Sequence, residues 1–185
     1  MIWNEILCLG DSITYGARDE YGRSFPAELA QMLTESTGET YFCHNHGING
    51  ETSSDLLRRA WGACCSHKES KMMTLMIGTN DTQQNTPLYI YENNLRQIIT
   101  VGKIFKKQIY LLTLPELDFT PLYLKNSKKI LEYNKIIRKL SKEFETNLID
   151  LSGLESHYVD GVHFKNSGNI EIAKRIKFAI LNSQT

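Results

Sequence analysis

Ile6-Leu7-Cys8-Leu9-Gly10-Asp11-Ser12 is an apolar run near the start of the chain that breaks abruptly into Gly, Asp and a hydroxyl. Four apolar residues in a row are too few for a helix. Bounded by polar residues or Gly, they fit a strand buried on both faces of a parallel sheet. Ser12 then falls just past the carboxyl end of that strand. In open α/β sheets ligands bind in the crevice outside those ends, so a serine placed there is a candidate nucleophile. Gly, Asp and Ser are also ordinary turn residues, and the tripeptide alone says no more than strand followed by turn. Any case for chemistry has to come from the rest of the chain.

Working outward, the pattern of the first strand recurs. Ser24 followed by Pro26 reads as a helix start, with Pro placed where its missing amide proton costs nothing. Ala27, Leu29, Ala30 and Leu33 give that helix an apolar stripe, and Gly38 ends it. Tyr41-Phe42-Cys43 reads as a short second strand running into a loop, His44-Asn45-His46-Gly47-Ile48-Asn49-Gly50-Glu51-Thr52, whose glycines imply tight turns or close backbone approach. Thr52 or Ser53 caps the next helix, Asp55 suits its first turn, and Leu56, Leu57, Ala60 and Trp61 form its core side. Met72 to Ile77 is a third strand, with Met72, Met73 and Met76 as core filling, and it breaks into Gly78-Thr79-Asn80-Asp81. A helix from Pro87 to Gly102 precedes a fourth strand, Ile109 to Leu112. A loop from Pro115 to Leu124 follows, then an amphipathic helix from about Asn126 to Phe144 with Ile130, Leu131, Ile136, Ile137 and Leu140 at helical spacing. Leu148-Ile149 with Asp150 and Leu151 is the fifth strand. Ser167 through Leu181, capped by Asn166 or Ser167, is the closing helix. This strict alternation of strand and helix demands a parallel sheet covered on both faces.

With 185 residues, the whole chain (1–185) is expected to form one domain. Lys plus Arg and Asp plus Glu number 21 each, so the net charge is zero and nothing points to DNA, other nucleic acid or an anionic membrane as partner. The basic clusters Lys103 to Lys107 and Lys125 to Lys129 read as solvated helix faces or ends. No run is long enough to span a membrane. The four cysteines show no paired CxxC spacing, and Cys8 and Cys43 fall in predicted strands, so buried free thiols are expected. The start, Met1-Ile2-Trp3-Asn4-Glu5, enters the first strand without a basic or long apolar segment. No signal peptide is therefore expected, and a reduced, cytoplasmic protein is the default expectation.

Between the fifth strand and the last helix lies Tyr158-Val159-Asp160-Gly161-Val162-His163-Phe164. Ser12, Gly50, Asn80, Asp160 and His163 all follow a strand and precede a helix, and in a parallel sheet such loops share one rim. A hydroxyl, an imidazole, a carboxylate, an amide side chain and a Gly amide on one rim are the parts that acyl transfer needs. A neutral serine requires a base such as His163, and Asp160 can hold the imidazole in the right tautomer. The Asn80 side-chain NH₂ and the backbone amides of Ser12 and Gly50 are the candidate donors to a developing oxyanion.

These residues resemble the blocks of the SGNH hydrolases, also called the GDSL esterase/lipase family. Gly10-Asp11-Ser12-Ile13 resembles the first block, with Ile13 where the family name carries Leu. Asn45-His46-Gly47-Ile48-Asn49-Gly50-Glu51-Thr52 is similar to the second, Gly78-Thr79-Asn80-Asp81 to the third, and Asp160-Gly161-Val162-His163 to the last, the DxxH block. The resemblance implies a flavodoxin-like three-layer α/β/α sandwich on a five-stranded parallel sheet. It also implies hydrolysis of carboxylic esters or thioesters through an acyl-serine, with no cofactor and no metal. Ser12 as nucleophile, His163 as base and acid, Asp160 as orienter, and Ser12, Gly50 and Asn80 as the oxyanion hole follow from the match.

The serine lies outside any GxSxG elbow, which disfavours the α/β-hydrolase fold. A flavodoxin-like module binding a nucleotide or phosphate would want a Gly-rich phosphate loop or an acidic metal pocket, and neither is present. Short acyl groups on a polar or carbohydrate alcohol are favoured by the absence of a long apolar lid. Lysophospholipid or thioester cleavage of longer chains is the alternative. The oligomeric state is not readable. Asp11 and Asp81 read as turn residues that brace their loops. His44 and His46 alternate as ligands on a strand end would, but no Cys or carboxylate nearby in sequence completes a metal site, so a loop role is expected, with His46 lining the pocket. Phe119, Tyr123 and Tyr158 are expected pocket walls.

Overall fold

The computed structural model describes residues 3–117 and 124–183. Five strands, β1 (Trp3–Gly10), β2 (Thr40–Gly47), β3 (Met72–Met76), β4 (Gln108–Leu112) and β5 (Asn147–Ile149), form one sheet in the order β2-β1-β3-β4-β5. Every pairing is parallel. This is the doubly wound flavodoxin-like order, in which the chain turns back at the β1/β3 boundary and opens a crevice at the carboxyl ends of those strands.

The two faces of β1 explain the apolar run. Leu7 and Leu9 pack into a core with residues of α3 (Ser53–Ser66), α5 (Leu88–Ile104) and α6 (Leu124–Glu143). Ile6 and Cys8 pack on the opposite side with α2 (Phe25–Thr37) and α7 (Asn166–Asn182). Residues 6 to 9 have no exposed surface. Burying one such Leu or Ile side chain contributes roughly 1.5–3 kcal/mol, so the strand that positions Ser12 is held from both sides.

Helix limits follow local chemistry. Ser24 precedes α2 with Pro in its first turn, and Gly38 closes it in the left-handed conformation. Thr52 and Asp55 form a reciprocal capping box at the start of α3. The closing helix begins at Asn166, one residue earlier than expected, with Lys165 rather than Asn166 or Ser167 in the capping position.

Several expectations need correction. The second strand continues through His44, Asn45, His46 and Gly47, because β2 keeps its register with β1 up to Gly10↔Gly47. The histidines thus lie in a strand and not in a loop. Trp61 is 55% exposed and packs edge-on against Phe105 at the surface, while Leu131 on α6 is also exposed. Lys107 is buried, not solvated, and its Nζ donates to the carbonyls of His67 and Ser70. The four cysteines are free as expected, although Cys65 is exposed and Cys43 half-buried. Two short helices went unforeseen, α1 (Ser12–Tyr15) and α4 (Thr79–Gln84), and each begins at a turn that ends a core strand. Among the described residues no helix is long and apolar enough to cross a membrane.

Candidate active site

Asp11 and Gly47 set up the first turn. The Asp11 carboxylate accepts from the Ile13 amide at 3.0 Å and so caps α1. Gly47 lies against this helix so closely that a Cβ there would stand 2.1 Å from the Tyr15 amide nitrogen. Only glycine lets the end of β2 meet α1. Ser12, the first residue of α1, is largely buried beneath the rim.

His163 Nε2 lies 3.0 Å from Ser12 Oγ, and His163 Nδ1 lies 2.8 Å from Asp160 Oδ2. The three groups stand in series across 151 residues of sequence. Asp160 is fixed by its own loop, since Oδ1 accepts from the amides of Val162 at 3.1 Å and His163 at 2.8 Å. Burial by itself would raise the Asp160 pKa, but those amide bonds and the His163 ring outweigh it and hold the carboxyl below its ordinary range. Arg18 Nε also reaches Asp160 Oδ2 at 3.0 Å.

Across from this series sit the candidate donors. Asn80, in the first turn of α4, gives one Nδ2 hydrogen to the Glu51 carbonyl at 2.8 Å and has a second to offer. Gly50 has φ +79°, and its amide makes no hydrogen bond among the described residues. The Ser12 amide is one of those that a helix start leaves without an intrahelical acceptor. Ser12, Gly50, Asn80 and His163 share a cleft of about 570 Å³ whose remaining walls are Tyr15, Ala17, Arg18 and Asn49. A slightly larger cleft, about 620 Å³ between β5 and α7, is lined by residues such as Leu148 and Phe178 and contains no group of this set.

Asp81 braces the donors, as expected for a turn residue. Its two carboxylate oxygens accept from the Ser53 amide at 2.7 Å and the Ser53 hydroxyl at 2.6 Å, tying α4 to the start of α3. Burial raises its pKa despite those bonds. Asp11 is different, because its Oδ2 is buried without a partner. Burial above all, with the Asp81 charge adding, pushes its pKa up to about 7.

Three participants, Arg59, its partner Glu51 and Arg18, are given no role by the sequence. Arg59 Nε donates to both Glu51 carboxylate oxygens at 2.9 Å, and its Nη2 reaches the carbonyls of His46 at 2.8 Å and Gly10 at 3.3 Å. One guanidinium thus clamps the ends of β1 and β2 to the loop that carries Gly50. Arg18 is the third, 142 positions from the Asp160 it pairs with, and no local pattern announces either arginine. Two expected wall residues are elsewhere. His46 contacts His67, away from the cleft. Tyr158 is buried and stacks on Phe164, because the loop folds back on itself there. Phe119 and Tyr123 lie outside the described residues.

The chain matches the GDSL-like lipase/acylhydrolase family over residues 8–169 and belongs to it. That family is a class of ester-hydrolysing enzymes. No curated protein sequence matches the chain. Among solved structures it is similar to a lipase/acylhydrolase from Enterococcus faecalis, with 24% identity and a TM-score of 0.84 over 97% of this chain and 96% of that one. It is also similar to Axe2, an acetylxylan esterase from Geobacillus stearothermophilus, with 21% identity and a TM-score of 0.82 over 96% and 94% of the two chains. TesA is a third, with 19% identity and a TM-score of 0.79 over 96% and 98%. At these identities the likeness speaks for the fold.

Proposed function

We propose that this protein is a serine esterase that removes short acyl groups, acetyl first among them, from a polar or carbohydrate alcohol. Ser12 Oγ attacks the ester carbonyl as His163 Nε2 takes its proton, and Asp160 steadies the imidazolium. The amides of Ser12 and Gly50 and the Asn80 side chain receive the oxyanion. Collapse of the tetrahedral intermediate returns the proton to the leaving alcohol. Water then repeats the sequence on the acyl-serine and releases the carboxylic acid.

The observation that carries this reading is the unbroken series Asp160 Oδ2, His163, Ser12 Oγ at 2.8 and 3.0 Å, open to one cleft with both non-serine donors. The short-acyl preference is supported by the walls, since among the described residues Tyr15 and Ala17 are the apolar part of a lining otherwise made of polar groups and glycine. A longer acyl chain would want a continuous apolar channel. Axe2 is described as an acetylxylan esterase, and its catalytic mutants replace a serine or an aspartate by alanine, residue types that also stand in this series. The unpaired thiols suit a reducing compartment such as the cytoplasm.

The test compares kcat/KM on p-nitrophenyl acetate and octanoate for the wild type and Ser12→Ala. Acetate should be preferred by about tenfold or more, the order of one or two lost apolar contacts, and Ser12→Ala should lose turnover on both while retaining its circular dichroism. Undiminished turnover in the variant refutes the nucleophile, and a preference for octanoate refutes the acyl assignment.

A further inference from the structure

A second cluster of imidazole and carboxylate lies at the β2 edge of the sheet, outside the cleft. In the β1/β2 register Glu5 lies beside Phe42, Leu7 beside His44 and Leu9 beside His46. Leu7 and Leu9 pack under α3, so Glu5, His44 and His46 project from that same face. His67, the residue that ends α3, folds down onto them. The His44 and His67 rings lie 4.1 Å apart between centroids, His44 Nε2 is 3.1 Å from Glu5 Oε2, and His46 Nε2 is 2.8 Å from His67 Nε2. One donor atom from each of Glu5, His44 and His67 lies within 4.8 Å of the other two. The carboxylate that no neighbouring stretch of sequence supplied to His44 is therefore delivered by the adjacent strand, 39 positions earlier.

We propose that Glu5, His44 and His67 bind a borderline divalent transition metal, Zn²⁺ in the first place, with His46 as the residue that orients His67. Two imidazoles and one carboxylate are a common donor set for Zn²⁺, and three protein ligands leave a position for water. A tetrahedral ion with bonds of about 2.0–2.1 Å sets its donors about 3.4 Å apart. The Glu5–His44 pair already stands near that spacing, and rotation of the half-buried side chains brings in the third. Metal-bound histidines usually pass their other ring hydrogen to a neighbouring group, and His46 is such a neighbour.

The surrounding charges are mixed. Burial above all lowers the pKa of His46 and His67, with the neighbouring imidazoles and cations adding and the Glu5 carboxylate opposing at His67. Lys107 and Arg59 are charges that oppose a cation; the Lys107 ammonium is turned to the carbonyls of His67 and Ser70, where it fixes the turn, and the Arg59 guanidinium to Glu51 and the His46 carbonyl. The Glu5 carboxylate offsets the Lys107 charge. The ion would fasten the end of α3 to the edge strand, a structural role independent of the esterase reading.

The test uses the full chain without an affinity tag, stripped with chelator. Co²⁺ and Zn²⁺ are titrated against a chromophoric chelator, and the melting temperature is followed with and without Zn²⁺. One equivalent should bind and raise the melting temperature. His46→Ala should weaken binding by about tenfold to 100-fold, the scale of a lost support, and His44→Ala and His67→Ala, which remove ligands outright, by more than that. His157→Ala, whose ring contacts Ser167 elsewhere, is the control and should bind as the wild type does. A measurement that needs no variant follows diethylpyrocarbonate modification by peptide mass, where Zn²⁺ should protect His44 and His67. Absence of a one-equivalent site, variants that bind as tightly as the wild type, or unprotected His44 and His67 would each overturn the proposal.

Discussion

Two regions of this molecule put an imidazole against a carboxylate, and they are built differently. At the rim His163 stands between two unlike partners, Asp160 on one nitrogen and the Ser12 hydroxyl on the other, so its groups form a line that ends in a hydroxyl. At the β2 edge Glu5, His44 and His67 face one another, and His46 closes onto His67. Donors that converge suit a cation, and donors in line suit movement of a proton. The residue types are shared, and what separates the regions is what meets the second ring nitrogen.

That contrast can be broken from the rim. Asp160→Asn keeps the shape of the line but removes its fixed charge and favours the wrong imidazole tautomer. We expect kcat to fall by about 10⁴-fold, as when the orienting aspartate of a serine triad is so replaced. Steady-state kinetics on p-nitrophenyl acetate checks it, and a loss under tenfold would mean that the line does not carry the reaction. Asn80→Ala spares the line and removes one group it acts toward. Its kcat should drop by roughly 10²–10³-fold with a much smaller change in KM, the cost of one oxyanion donor. A change confined to KM would show that Asn80 only binds substrate.

A third variant sharpens the comparison within the rim, where Asp11 neighbours Ser12 in sequence but stands outside the line. Its folded pKa of about 7 lies above the ordinary 3.8. The folded state therefore holds a proton that the unfolded chain has released, and stability falls as pH rises from about 4 to about 7. Asp11→Asn keeps an oxygen for the Ile13 amide and cannot ionise. Relative to it, the wild type should lose about 2–3 kcal/mol between pH 5 and pH 8, at 1.36 kcal/mol for each unit. Urea denaturation at the two pH values measures this, and equal losses in both proteins would contradict a buried, protonated Asp11.

The sheet was legible because its central strands are buried on both faces. Ile6 to Leu9 is apolar without interruption and Met72 to Ile77 is broken only by the buried Thr74, and their abrupt ends at Gly10 and Gly78 mark the rim. The rim residues were legible because the topology carries every loop that follows a strand to one edge. Edge and surface positions were not, since their neighbours are set by tertiary packing. The polar stretch His44 to Gly47 reads as loop, yet pairing with β1 holds it extended. Trp61 has the spacing of a core residue and lies on Phe105 at the surface. The Arg59 clamp, the Arg18–Asp160 pair and the arrival of His67 beside His44 join positions that no local pattern links.

The central claim, that Ser12 is the nucleophile driven by His163, is tested most directly by reacting the protein with a fluorophosphonate and weighing it before and after digestion. One adduct per chain is expected, located on Ser12, at a rate that falls by about 10³-fold or more in His163→Ala. An adduct on another residue, or labelling of Ser12 as fast without the histidine as with it, would contradict it.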